Sequence, residues 1–229
     1  MCSIIGYSGL ESAAPILVKG LQKMEYRGYD SVGIATKSGK KIVLKKGVGK
    51  VVEVNNSIML DTLPGNIGIG HTRWATHGKV TEKNAHPHSS NSGKIAIAHN
   101  GIIENFEELK SELQNKGYKF QSETDTEVIA NLIQLNFDET TDIKQSIMKT
   151  VNQLKGHYSF VVIFEDGTLV AARFHEPLIV GVGKNSHYIS SDVLGFIEKT
   201  DDAIYVDNED FVIVDGSGIH IFDFDGTSV

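Results

Sequence analysis

The sequence predicts an α+β fold whose elements are grouped rather than alternating, and three features carry that prediction. Helical segments cluster between residues 105 and 154. Nearly everything after Tyr158 reads as short strands joined by turn residues. Runs of strands and runs of helices favour layered sheets over a parallel doubly wound one. At 229 residues, 40% hydrophobic and 22% charged, the chain has the composition of an ordinary globular protein.

Each element follows from local pattern. Ser3–Tyr7 reads as a buried strand, and Ala13–Met24 as a helix with Ile16, Leu17, Gly20 and Leu21 on one face. Strands are expected at Val32–Thr36 and Lys41–Lys46, joined by the hairpin signal Ser38-Gly39. Asn66–Thr72 is a further strand, and residues 73–93 a long, His-rich, irregular loop of the kind that is usually functional. Lys94–His99 is a strand ending at Asn100-Gly101. Asn105 caps a helix that Gly117 stops. Helices Thr126–Asn136 and Ile143–Leu154 follow. Tyr158–Phe164 and Thr168–Arg173 flank the Asp166-Gly167 turn, and Leu178–Val182, Tyr188–Ser190, Phe211–Asp215 and Ile219–Phe224 continue the strands.

The chemistry centres on Cys2, the only cysteine. Removal of Met1, expected before so small a residue, unites a thiol nucleophile and an α-amine on one residue. That amine has a reference pKa of about 7.7–8.0, so it can exchange protons near neutrality and activate a neighbouring nucleophile. Three other segments supply groups for a substrate. His71-Thr72-Arg73-Trp74-Ala75-Thr76-His77-Gly78 brings a planar cation suited to a carboxylate. Asn100 and Gly101 offer a side-chain amide and a backbone N–H for an oxyanion hole. Asp125, within Ser122–Glu127, offers an anion for an ammonium group. A nucleophile, an oxyanion hole, a cation and an anion together describe a site for a free amino acid with an electrophilic side chain, and glutamine fits.

Six motifs in order also carry a resemblance: Cys2 with Ile4-Ile5-Gly6, Glu25–Ser31 (EYRGYDS), His71–Gly78 (HTRWATHG), Asn84–His88 (NAHPH), His99–Asn105 (HNGIIEN) and Ser122–Glu127 (SETDTE). Over nearly the whole chain the sequence resembles the glutaminase domains of glucosamine-6-phosphate synthases, within the class II glutamine amidotransferases. The resemblance implies an N-terminal nucleophile hydrolase fold, a four-layer αββα sandwich of two antiparallel sheets, over residues 2–229. It implies that Cys2 attacks the glutamine carboxamide through a γ-glutamyl thioester, with Asn100 and Gly101 as the oxyanion hole and Arg27 supporting the nucleophile. Arg73, Thr76 and His77 would hold the substrate's α-carboxylate side, Asp125 its α-amine, and Trp74 would gate ammonia. No cofactor and no metal are implied. L-glutamine is the expected partner, with fructose 6-phosphate bound only by a C-terminal isomerase portion not present in this sequence, and the full-length enzyme is expected to be a homodimer. The family usually has Gly after the nucleophile, where this sequence has Ser3.

Other classes fit less well. A net charge of −7 without a basic stripe argues against a nucleic-acid partner. No apolar run approaches the roughly 18 residues that span a membrane, and the N-terminus lacks a signal-peptide pattern. One cysteine suits a reducing cytoplasm. The spacing of His71, His77, His86, His88 and His99 matches no compact zinc pattern. Phe222–Thr227 imitates a phosphatase nucleophile motif but reads as a turn at Asp225-Gly226, and Asp207–Asp210 reads as a solvated turn. Two alternatives remain at this stage: a non-catalytic glutamine-sensing domain, and the glutaminase domain of another amidotransferase.

Overall fold

Along each central strand successive residues enter different apolar layers, and this alternation builds the molecule. In chain order the elements are β1 (Ser3–Gly9), α1 (Ala13–Lys23), β2 (Ser31–Ser38), β3 (Lys41–Val48), α2 (Val51–Ile58), β4 (Ile67–Arg73), β5 (His88–Ser89), β6 (Ile95–Ile103), α3 (Phe106–Asn115), α4 (Thr126–Thr140), α5 (Ile143–Val151), β7 (Gly156–Phe164), β8 (Leu169–Phe174), β9 (Ile179–Val182), β10 (Ser186–Ser190), β11 (Ala203–Tyr205), β12 (Asp210–Asp215) and β13 (Gly218–Asp223). The computed structural model describes residues 2–75 and 78–229. Met1, Thr76 and His77 lie outside the described residues.

The strands form two sheets, ordered β11-β9-β10-β1-β4-β2-β3 and β13-β12-β8-β7-β6-β5. Every ladder between these strands is antiparallel. Between the sheets lie Ile4, Ile69, Ala96, Ala98, Val161, Ile163 and Val212. Ile5 and Tyr7 point the other way, onto Leu17 and Leu21 of α1 and Val54 of α2. Ile95, Ile97, Phe160 and Val162 face Val128 and Ile129 of α4. The result is the expected αββα sandwich. Each buried Val, Ile or Phe contributes about 1.5–3 kcal/mol relative to exposure, so strands with both faces covered hold the frame rigid.

Three expectations need correction, and one helix was not read from the sequence. Strand β6 does not end at His99; it continues through Asn100 and Gly101 to Ile103, paired with β7 throughout. The irregular loop contains β5, where His88 pairs with Ile97. Residues 51–58, assigned no element from the sequence, form helix α2 although β-branched residues and Asn lower helix propensity. Burial of Val51 and Val54 overrides that preference, and Glu25 Oε1 accepts from Val51 N at 2.7 Å, satisfying a first-turn donor. Asp210 is not in a solvated turn; it is buried at the start of β12, and burial pushes its carboxyl above the usual range.

The hairpin at Asp166-Gly167 forms as expected: Gly167 has φ +101° and Asp166 Oδ1 accepts from Thr168 N at 2.8 Å. The Asp225-Gly226 segment is a turn closed by Gly226 N donating to Asp223 O at 2.9 Å.

Candidate active site

Strand parity fixes where Cys2 stands. Ile4 enters the layer between the sheets, so Cys2, two residues earlier, falls on the same side of β1. Its Sγ accepts a hydrogen bond from Trp74 N at 3.2 Å. Its carbonyl oxygen accepts from Arg27 Nε at 3.1 Å and from Asn100 Nδ2 at 3.2 Å. Arg27 is buried, and its Nη1 lies 3.6 Å from Asp192 Oδ2, which also accepts from Tyr26 Oη at 2.6 Å. Arg27 thus ties the nucleophile's backbone to a carboxylate 165 residues away in sequence. Burial pushes the Cys2 thiol up, opposed by the Trp74 N–H and by nearby positive charge, including Arg73 and Arg27.

Ser3 fits its position. It is fully buried in β1, does not have positive φ, and its hydroxyl donates to Met24 O at 2.9 Å. A satisfied buried hydroxyl carries no desolvation penalty of the size an unpaired one would.

Asn100 and Gly101 sit within β6, not at its end. Asn100 shares the inward face with Ala96 and Ala98, opposite β4 and β1 of the other sheet. Gly101 has φ +111°, and a Cβ there would overlap the His157 carbonyl of β7. Only glycine permits that backbone in a paired strand.

Arg73 ends β4 on the inward face and is buried, with Nη1 donating to Lys79 O at 3.3 Å. Asp30 secures the following peptides: its N–H donates to Arg73 O at 3.0 Å and its Oδ2 accepts from Ala75 N at 2.8 Å. Gly28 presses on the Arg73–Trp74 peptide, where a Cβ would lie 2.9 Å from Arg73 C and 3.0 Å from Trp74 N. Trp74 is partly exposed and meets Tyr29 edge-on, with centroids 5.4 Å apart. Asp125 is the N-cap residue of α4, but its side chain makes no capping bond. Its Oδ2 instead accepts from Ile103 N at 2.9 Å, and its Oδ1 lies 3.9 Å from His99 Nδ1.

Cys2, Arg73, Trp74, His86, His99, Gly101, Thr124, Asp125 and Thr126 line one narrow cleft of 40 Å³. The structure thus gathers Cys2, Arg73, Trp74, Gly101 and Asp125 at one cleft, with Arg27 and Asn100 bonded to Cys2 behind it. Thr76 and His77, the remaining expected substrate contacts, lie outside the described residues. A roomier cavity of 620 Å³, lined by Lys46, Lys83, Lys119 and Glu127 among others, does not include Cys2.

Four buried histidines cluster at the cleft, His86 and His99 lining it and His71 and His88 lying behind them. His71 stacks on His86 with centroids 4.1 Å apart, and His86 meets His88 edge-on at 4.8 Å. His99 Nδ1 is 2.9 Å from Thr126 Oγ1, and His88 Nε2 is 3.1 Å from Thr124 Oγ1. Burial pushes His71 down to about 3 and His86 and His88 well below the usual range. Groups held neutral in the folded state keep their full stabilising effect above the unfolded pKa of about 6.5. That stability is lost as pH falls below 6.5, because the unfolded chain takes up protons that the folded one refuses. At one unit below 6.5 the three together cost on the order of 4 kcal/mol. We expect thermal unfolding at pH 5.5 to occur roughly 10 °C below that at pH 7.5; a Tm that does not change across this interval would refute the neutral cluster.

Sequence reasoning missed Asp192, Gly28, Asp30 and His71 as parts of the site. His71 carried a readable signal, since it lies two residues after Ile69 and two before Arg73 on the same strand face, and Gly28 and Asp30 lie inside the EYRGYDS motif, whereas Asp192 carried none. The partners of the others come from elements distant in sequence.

Comparisons with known proteins agree with this geometry. A family profile described as a glutamine amidotransferase domain matches residues 71–197. Among curated relatives, the glutamine–fructose-6-phosphate aminotransferase (isomerizing) of Pyrococcus horikoshii is 49% identical over 93% of this chain, and 36% of that protein is covered. The enzymes of the same name from Methanothermobacter thermautotrophicus and Clostridium acetobutylicum are 46% and 42% identical over the full chain, covering 39% and 38% of their lengths. The chain therefore spans well under half of these relatives. Among solved structures, the glutamine phosphoribosylpyrophosphate amidotransferase of B. subtilis is 31% identical and superposes with a TM-score of 0.85 over 97% of this chain and 49% of its own. A glutamine aminotransferase class-II domain protein from Silicibacter pomeroyi shares the fold, with a TM-score of 0.65 at 17% identity over 97% of this chain and 99% of its own. With a thiol, an amide-bearing strand and an arginine–aspartate pair converging on one cleft, and with these matches, the chain belongs to the glutamine amidotransferase domain family.

Proposed function

We propose that this chain hydrolyses L-glutamine to glutamate and ammonia, with Cys2 as the nucleophile. The observation that carries the reading is the placement of Cys2 Sγ, held by Trp74 N–H, at a cleft also lined by Gly101, Arg73 and Asp125. The buried thiol has its pKa raised, so attack needs a base. The α-amine freed by removal of Met1 is that base. It takes the Sγ proton as the C–S bond forms, and the carboxamide oxygen becomes an oxyanion facing Asn100 Nδ2 and Gly101 N. The amine then gives the proton to the leaving nitrogen, the C–N bond breaks and ammonia departs. The neutral amine takes a proton from water as the water oxygen attacks the thioester carbonyl, the C–S bond breaks, the proton returns to Sγ, and glutamate leaves.

Arg73 holds the α-carboxylate, together with Thr76 and His77, and Asp125 holds the α-amine. These groups do not change charge during the reaction, so they serve ground state and transition state alike. Replacing Arg73 by Ala is expected to raise KM for glutamine roughly 10- to 150-fold, the equivalent of one charged hydrogen-bonded contact of about 1.5–3 kcal/mol, with little change in kcat. Steady-state kinetics check this, and an unchanged KM would remove Arg73 from the substrate site.

The region 2–229 forms one glutaminase domain of a longer enzyme. Its ammonia is used to convert fructose 6-phosphate to glucosamine 6-phosphate in an isomerase portion beyond this sequence, with Trp74 gating passage, in a cytoplasmic homodimer. The names of the relatives at 42–49% identity support this acceptor over phosphoribosyl pyrophosphate, the substrate named for the neighbour at 31%. No helix among the described residues is long and apolar enough to cross a membrane. A glutamine-sensing role is not favoured, because Ser3, the one departure from the family pattern near the nucleophile, has its hydroxyl bonded inside the core. The test is release of glutamate and ammonia from glutamine by the Met1-processed chain, with Cys2→Ala as the blank. Equal, Cys2-dependent release supports the reading, and none from a folded, processed chain overturns it.

A further inference from the structure

His71 is fully buried on β4, facing the other sheet, and does not line the cleft. Its Nε2 lies 3.0 Å from the His99 carbonyl oxygen and 3.1 Å from Asn100 Oδ1. A carbonyl oxygen can only accept, so Nε2 carries the ring proton. Nδ1 has no partner among the described residues.

This donor holds the Oδ1 end of the Asn100 amide, as the Cys2 carbonyl holds its NH₂ end. With Oδ1 turned to His71, the NH₂ end turns toward Cys2, where Nδ2 donates to the Cys2 carbonyl at 3.2 Å. That contact uses one amide hydrogen and leaves the second for an oxyanion. The flipped amide would set Oδ1 against the Cys2 carbonyl oxygen and its NH₂ against the His71 Nε2–H; a ring that switched tautomer to accept that NH₂ would leave the His99 carbonyl facing a lone pair. The ring itself is fixed by its stack on His86, whose Nδ1 accepts from His99 N at 3.4 Å.

We propose that His71 is a positioning residue for the glutaminase reaction, reaching from one sheet to the other to hold the Asn100 amide with its N–H groups toward the scissile carbonyl. This rests on the glutaminase reading above. His71 touches no substrate. Its loss acts through Asn100 and should cost less than the 10²–10³-fold expected for removing the oxyanion donor itself.

The experiment compares His71→Phe, which keeps the stacked ring without the donor, with His71→Gln, which keeps an N–H donor, each alone and combined with Asn100→Ala in the Met1-processed chain. His71→Phe is expected to lower kcat about 10- to 100-fold with KM within about threefold, and His71→Gln to recover part of the loss. Added to Asn100→Ala, His71→Phe should cause no further loss, because the group it orients is already gone. A parental kcat in His71→Phe, or losses that add fully with Asn100→Ala, would overturn the proposal. Ring ¹⁵N NMR of His71 in the unsubstituted resting protein gives a readout free of folding and turnover: the structure requires the Nε2–H tautomer, and Nδ1–H would overturn the assignment. A parent chain that releases no glutamate yet shows Nε2–H would refute the glutaminase reading while leaving the positioning of Asn100 standing.

Discussion

Replacing Cys2 by Ala should lower glutamine hydrolysis by at least about 10⁴-fold while the protein stays folded. The thiol is the one nucleophile in the cleft that Trp74 N–H already contacts, and removal of a nucleophile alone costs a hydrolase about as much as removing its whole catalytic unit. The fold should survive, because the contacts that hold Cys2 in place run through its backbone: Arg27 Nε and Asn100 Nδ2 both bond its carbonyl oxygen. The half-buried side chain contributes little to the core, and Tm should move by only a few degrees. A Met1-retaining chain is the companion control. It keeps the thiol but denies Cys2 its free amine, so it should be as inactive as the Ala variant. Activity near the parental level in Cys2→Ala would remove the nucleophile assignment; full activity with Met1 retained would remove the amine as base.

Asn100→Ala is expected to reduce kcat by about 10²–10³-fold, with KM for glutamine changed by less than about threefold. Its amide acts on charge that exists only after Sγ attacks, so the loss falls on the transition state. The same substitution removes one of the two donors on the Cys2 carbonyl, leaving Arg27 alone to hold it. Gly101 N cannot compensate, because its position is set by a backbone that only glycine tolerates. A variant with raised KM and parental kcat would make Asn100 a ground-state contact.

Much of the architecture was legible because apolar residues alternate along β6, β7, β8 and β12, and both residue parities are buried. Turn chemistry at Asp166-Gly167 and the apolar stripe of α4 were equally local signals. What local pattern could not read was decided by contacts from afar. Val51–Ile58 became a helix through burial and through Glu25. Asn100-Gly101 stayed in a strand because β7 runs alongside it. Asp125, placed where a cap belongs, bonds across to Ile103 instead.

By itself the sequence determined the chemistry available: one thiol beside the initiator methionine, an Asn-Gly pair, an arginine and an aspartate, in an order that marks the family. Only the tertiary structure decided how those groups are held. Arg27 finds Asp192 and the Cys2 carbonyl, Trp74 N–H finds the thiol, and His71 finds Asn100 in the opposite sheet. Each of these is a short-range, directional contact between residues far apart in the chain: pairing of β1 with β4 and β10 in one sheet brings Cys2 to Trp74 and places Asp192 near Arg27, and the stacking of two sheets brings His71 to Asn100.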